Sequence, residues 1–433
     1  MGVKKFILII VVIVLILSFG FSLHAKDFYV SKTTGKNSNP GTRDKPYKNI
    51  DKAIKSAQSG DRVHVAAGIY SGTFDIGYLE CKKALIFLGS YAADFSSRDI
   101  MKHTTIFQPG NKSGARSRKA LLRFGTEVDG LVVDGFVFDM GMRNSYSASE
   151  GKPQGLDTGM LLLPPKKMKG QNATVTETCI SIPGSAGGGE IQIRNNMFLN
   201  GAKFAIQGGH RQGTMKIINN VFVANRMGAI EIYGTCGSRK SATGCGEVEI
   251  AYNTILFSWS RTKEMTDMGY GIRIMTRLKY NIHHNLIGGN VLAGVDHSRF
   301  NKDEWIKMDH NIFFANKSAD LQYSPASNTR LDLRVNQFED LEFASCTGNK
   351  SEIPKSLALD KEYLSGFLNA RYSEQADYDP NSPVNQWREA WGLNKQGKLS
   401  SKTTMYGNRY DWKGALRLFG SVAGYGAQSF KGN

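Results

Sequence analysis

The chain has 433 residues, 41% of them hydrophobic and 21% charged. That apolar content excludes wholesale disorder. Its 47 glycines without a triplet period exclude collagen, and five cysteines without zinc-finger spacing exclude a disulfide scaffold or a zinc finger. Lys and Arg number 55 against 38 Asp and Glu, a net +17 that suits an acidic partner: a polyanionic glycan, a nucleic acid or an anionic membrane.

In chain order, residues 1–25 read as a secretory signal peptide: Lys4 and Lys5, an apolar run from Phe6 to Phe21, and Ala25 at a cleavage position. Leu23 at the third position before the cut keeps a retained anchor as the competing reading, although the run is short for a span. Cleavage removes two lysines and leaves 408 residues at +15, with no later membrane span. Export to a secreted, periplasmic or cell-surface location shifts the expected partner from nucleic acid to acidic polysaccharide, protein partners being unknown. Ile50, Ala53, Ile54 and Ala57 follow helical spacing, so residues 49–58 are predicted as a short amphipathic helix stopped at Gly60 and capping a sheet. Residues 140–190, with Pro164, Pro165 and Gly187 to Gly189, read as a turn-rich insertion.

From there a repeat sets the architecture. Asn196, Asn220, Asn253, Asn285 and Asn311 each sit in the pattern apolar-x-x-Asn-x-apolar, and between them fall Ile206-Gln207, Ile230-Glu231, Ile272-Arg273, Val295-Asp296 and Leu321-Gln322. Units of about 24 residues holding short period-2 strands are coils of a parallel β-solenoid, since one coil cannot bury its apolar side alone. Coils stack at about 4.8 Å, so a buried Asn repeated at one turn bonds its own copies above and below; the five Asn are structural. Period-2 alternation turns Gln207, Glu231, Arg273, Asp296 and Gln322 outward as one exposed column. Loops Thr235–Gly246 and Ser258–Gly269 are insertions. Cys236 and Cys245 flank a Gly/Ser/Arg/Lys loop and are predicted to form a disulfide, with Cys81, Cys179 and Cys346 left unassigned. The plan is therefore an all-β solenoid over 26–346 and a C-terminal cap over 347–433, where the repeat is lost and Tyr, Trp, Lys and Asn abound.

Phe28-Tyr-Val-Ser31, Asn39-Pro-Gly-Thr42, Lys45-Pro-Tyr47, Gly60-Asp61 and Ala67-Gly-Ile-Tyr70 resemble the opening of secreted right-handed parallel β-helix proteins, the pectate-lyase-like superfamily. Asp134-Gly-Phe136, the Asn coils, Ser382-Pro383 and Gly426-Ala427 fit the same pattern. Phe204-Ala-Ile-Gln-Gly-Gly-His210 is similar to a catalytic strand of chondroitinase-B-like and alginate-lyase-like enzymes, with Gln207 where an Arg is expected. The resemblance implies a right-handed β-helix whose glycan lies along the sheet that carries the outward column.

Uronate elimination needs a neutralised substrate carboxylate, a base for the C5 proton and an acid for the leaving oxygen. Arg273, His210, Tyr233 and His297 are the candidate catalytic residues. Gln207, Glu231, Asp296, Gln322, Tyr270 and Arg299 are candidate substrate contacts. Trp259 stacks on sugar or packs within its own loop. Glu231 and Asp296 are candidate ligands for Ca²⁺, a hard cation that takes oxygen donors; the bland alternative is that Glu231 and Arg273 form a solvated cross-coil ion pair. His283, His284 and His310 read as turn residues on different coils, because metal ligands must converge. The leading expectation is recognition of an acidic polysaccharide with β-elimination as the reaction. A non-catalytic surface or matrix binder of glycan or protein is the alternative. A glycoside hydrolase, which needs paired outward carboxylates, is third.

Overall fold

The computed structural model describes residues 25–71, 79–108, 118–140, 175–201, 203–234, 245–258, 268–275, 277–297, 301–326, 328–367, 383–395 and 410–430. Three nine-stranded sheets run the length of the molecule, and successive strands of one chain circuit go to successive sheets. One circuit, Ile191–Arg194, Met197–Leu199 and Ile206–Gly209, places one strand in each sheet, and each pairs in parallel with its counterpart in the next circuit. The chain is a right-handed parallel β-helix.

Alternation explains the core. Ile193, Ile217, Ile250, Ile282 and Met308 point inward from the first sheet, and Ile206, Ile230, Ile272, Val295 and Leu321 from the third. In the second sheet Phe138, Phe198 and Phe222 stack ring on ring at 5.0 and 4.9 Å. Between the first and second sheets the predicted Asn row is continuous. Asn196, Asn220, Asn253 and Asn285 each donate Nδ2 to the Oδ1 of the next Asn at 3.1, 3.0, 3.0 and 2.9 Å, and the same oxygen accepts the backbone N–H. The row reaches further than expected: Asn311 donates to Asn349 at 3.1 Å, and Lys350–Ser351 adds a strand to the second sheet. The solenoid therefore continues past residue 346. A second amide row, five residues after the first, escaped the sequence reading; there Asn290 donates to Asn316 at 2.8 Å, and Asn225 and Asn290 accept from the backbone of Gly201 and Ser258.

Helix α1, Ile50–Ser56, closes the first coil with Ile50, Ala53 and Ile54 buried. It ends at Ala57, before Gly60, where the backbone becomes extended, and Lys83 Nζ donates to the carbonyls of Ile54, Lys55 and Ala57 that this end leaves open. At the other end Leu331–Leu333 pairs antiparallel with Ala319–Tyr323, and Phe338 and Phe343 close the core. The segment after residue 351 does a different job. Helices α2 (Lys361–Phe367), α3 (Pro383–Ala390) and α4 (Trp412–Leu416) lie along the outer side of the second sheet, where Trp387, Trp391, Tyr410 and Phe419 cover Met197, Leu199, Val221, Val223 and Phe257. Its central strands, Met197–Leu199 to Ile312–Phe314, are buried on both faces.

Two expectations are corrected here. Val175–Ile182, inside the predicted insertion, is a strand of the third sheet, paired with Arg118–Phe124 and with Ile206–Gly209; its Cys179, Ile180 and Ile182 enter the core. The remaining insertion, residues 141–174, and the signal segment, residues 1–24, lie outside the described residues. Among the described residues no disulfide is complete: Cys81, Cys179 and Cys346 carry free thiols. Cys245 is bonded through its sulfur, but Cys236 lies outside the described residues, so the predicted Cys236–Cys245 pair is not carried forward. Among the described residues no helix is long and apolar enough to cross a membrane.

Candidate functional site

The third sheet brings the five predicted polar residues into one row. The pairing runs Gln207 to Glu231, Glu231 to Arg273, Arg273 to Asp296 and Asp296 to Gln322, each in direct register. Their side chains join as well. Gln207 Nε2 donates to Glu231 Oε1 at 2.5 Å, Arg273 Nη1 to Glu231 Oε2 at 2.8 Å, and Arg273 Nε to Asp296 Oδ2 at 3.0 Å. At the far end Gln322 donates to Asp332 at 2.9 Å and accepts from Arg330.

The expected exposure of this row is corrected. Glu231, Arg273, Asp296 and Gln322 are 5%, 8%, 0% and 1% exposed, and only Gln207 is half-open. Alternation sets which way a side chain leaves the backbone; it does not set what lies over it. The Tyr270 ring, with its centroid 5.8 Å from the guanidinium carbon, is one neighbour on that side. Burial by itself would loosen Arg273's proton, but the charges of Asp296 and Glu231 outweigh it and the pKa is raised, so the cation is permanent. Two carboxylates flank one guanidinium, so the row offers no surplus positive charge to a substrate anion.

The other predicted residues do not all join this row. His297 points inward, in register with Tyr323, and packs against Tyr323 and Phe343 at 5.2 and 5.8 Å, its Nε2 3.5 Å from Asp303 Oδ1. It is one residue past an outward Asp, and alternation sends it to the opposite face. His210 is fully buried and donates Nε2–H to the Gly213 carbonyl at 2.9 Å, so it holds a turn. Burial lowers the pKa of both imidazoles. Tyr233 does share the row's face, two residues after Glu231, and is half-buried against Gly184, where an added Cβ would meet its ring at 2.8 Å. Burial, then the Glu231 charge, raises its phenol pKa, which keeps the proton on the oxygen. Trp259 and Arg299 lie outside the described residues.

For Ca²⁺, both Glu231 oxygens and Asp296 Oδ2 are already engaged by Gln207 and Arg273. A cation there would have to displace the guanidinium, so the pair as arranged does not fit the ion. Among the described residues no group of three or more His, Cys, Asp or Glu side chains is arranged so that all could ligate one metal ion.

Two sets of contacts outside the third sheet are not read from the sequence, which places His284 and His310 only as turn residues. His64 bridges Asp27 and Tyr91, with Nε2 2.9 Å from Asp27 Oδ1 and Nδ1 2.9 Å from the Tyr91 hydroxyl. Tyr252, His284 and His310 stack along the Asn turn at 5.0 and 5.3 Å. Their coil-to-coil spacing, one residue before each ladder Asn, was the available signal.

Comparison with known proteins adds little to the chemistry. Residues 33–75 match a family model described as a protein of unknown function, DUF1565. No curated protein matches. A solved structure titled "Crystal structure of pectate lyase Pel9A" is similar at 12% identity and a TM-score of 0.41, covering 88% of this chain and 91% of that one. Another, titled "Rhamnogalacturonan lyase", is similar at 14% identity and a TM-score of 0.37, covering 93% and 100%.

Proposed function

We propose that the chain is an exported β-helix protein that recognises an acidic polysaccharide along the outer third sheet, with β-elimination as its reaction. The observation that carries the reading is the half-open end of the third-sheet row, where Gln207 and the Tyr233 phenol reach the outer face above the buried Glu231, Arg273 and Asp296. The excess of Lys and Arg over Asp and Glu favours a polyanion. In this reading Tyr233 is the general acid: its phenol keeps its proton, is half-open beside the row, and gives that proton to the leaving glycosidic oxygen while the C5 proton passes to solvent. Arg273 fixes the carboxylates and is a positioning residue.

One observation favours a non-catalytic binder instead: Arg273, the group that would neutralise a uronate, is held by Glu231 and Asp296. The test is incubation with polygalacturonate, alginate and chondroitin sulfate while following ultraviolet absorbance of the unsaturated product. Tyr233→Phe should lower turnover by about 100-fold or more, the scale of a general acid or base, without changing the melting temperature. Retained binding with no product from any polymer selects the binder. Neither binding nor product sinks the proposal.

A further inference from the structure

We infer that His283 and His284, supported by Glu249, form a binding site for a divalent transition-metal ion of the copper, nickel and zinc group. The two Nδ1 atoms lie 3.1 Å apart on rings set at 89° to each other. Imidazole nitrogens bind such ions at about 2.0–2.1 Å, so two donors at this separation subtend about 100° at a shared ion. That is the angle of adjacent ligands in a tetragonal or tetrahedral sphere. Without metal the same contact needs one proton held between the two nitrogens.

Both rings are fixed in advance. His283 turns its Nε2 toward Glu249, 3.4 Å from Oε1, while its Nδ1 faces His284. A carboxylate behind a ligating imidazole is the usual support for a metal-bound His. His284 is clamped between the Tyr252 and His310 rings, at 5.0 Å and 18° and at 5.3 Å and 9°. Its backbone is left-handed, with φ 54°, and its carbonyl accepts from Gly426 N at 2.8 Å. Asp309, in register with His283 on the next coil, spends Oδ1 on Ser345 and Thr347. Lys350 lies over the Tyr425 ring. Both imidazoles are half-exposed, so solvent or a ligand oxygen completes the sphere. The site lies on the outer first-to-second-sheet turn, apart from the third-sheet row, and does not depend on the polysaccharide reading.

The untagged full chain is titrated with CuCl₂, NiCl₂ and ZnCl₂ by calorimetry, and the copper form is read by electron paramagnetic resonance. One saturable equivalent is expected, strongest for Cu²⁺, with hyperfine structure from two nitrogens. His283→Gln and His284→Asn each remove it; Asn tolerates the left-handed backbone, and an unchanged melting curve of the metal-free variants confirms the fold. Glu249→Gln weakens it by about 10–100-fold. No saturable equivalent, or one that survives both single His variants, overturns the site.

Discussion

Arg273 shows how much one residue's surroundings decide. On an open surface its pairs with Glu231 and Asp296 would be worth about 0–1 kcal/mol. Here the three side chains are 10%, 7% and 0% exposed, so removing the cation leaves two carboxylates without their partner in a dry site. Arg273→Ala is expected to destabilise by about 3–5 kcal/mol, the range for breaking a buried pair, measured by urea unfolding. A loss below about 1 kcal/mol would mean the carboxylates reach water. His210 and His297 supply a pH dependence. Burial holds both below the ordinary 6.5 and keeps them neutral in the fold. As pH falls past that value the unfolded chain takes up protons that the folded one does not. Stability is therefore full above the ordinary value and declines below it. Unfolding midpoints at about pH 8 and about pH 5.5 should differ in that direction, and His210→Gln should reduce the difference.

At the scale of elements, the coil depends on its turns. Asn253 accepts from the backbone and side chain of Asn220 and donates to the Ile217 carbonyl and to Asn285. Asn253→Leu breaks the row on both sides and strands several buried groups, each costing about 1–3 kcal/mol. A loss of about 3 kcal/mol or more is expected by chemical denaturation, with glycan binding by the folded fraction unchanged. Beside each ladder Asn the preceding residue is left-handed: Asn195, Asn219, Tyr252, His284 and His310 have φ between 52° and 60°. A β-branched side chain resists that conformation. His310→Val should therefore cost about 1–2 kcal/mol more than His310→Asn in the same assay.

For the whole molecule, the C-terminal segment is a strap along one side. Ala427 N donates to Thr254 Oγ1 at 3.0 Å, Tyr410 N donates to Asn200 Oδ1 at 3.2 Å, and Arg98 lies 4.9 Å from the Phe430 ring centroid, so the strap runs back toward the early coils. Removing residues 410–433 uncovers Leu199, Val223 and Leu256 of the second sheet. An exposed apolar face of that kind binds hydrophobic dyes and drives association, so the truncated chain should bind such a dye and sediment as aggregates, whereas the full chain should not. At the same scale, binding of a polyanionic glycan should weaken steeply with salt, because exposed charges are screened within about 8–10 Å. Affinity that stays flat as salt rises would point to a neutral ligand.

The sequence by itself determined the solenoid, the inward Asn row, the capping helix and the register of Gln207, Glu231, Arg273, Asp296 and Gln322. Each of these is set by neighbours that repeat from coil to coil: Asn220 meets the same partner above as below, so one coil's pattern predicts the next. Alternation also held His297's true direction, since it stands one residue beyond an outward Asp. Only the tertiary structure decided the burial of the Arg273 row, because exposure depends on segments distant in sequence that carry no repeat. It alone placed the described helices of the C-terminal segment along the second sheet, a packing of Trp387, Trp391 and Phe419 without period. The approach of His283 and His284 likewise needed side-chain rotamers fixed by Glu249, Tyr252 and His310, residues from three other positions in the chain whose contacts spacing does not encode.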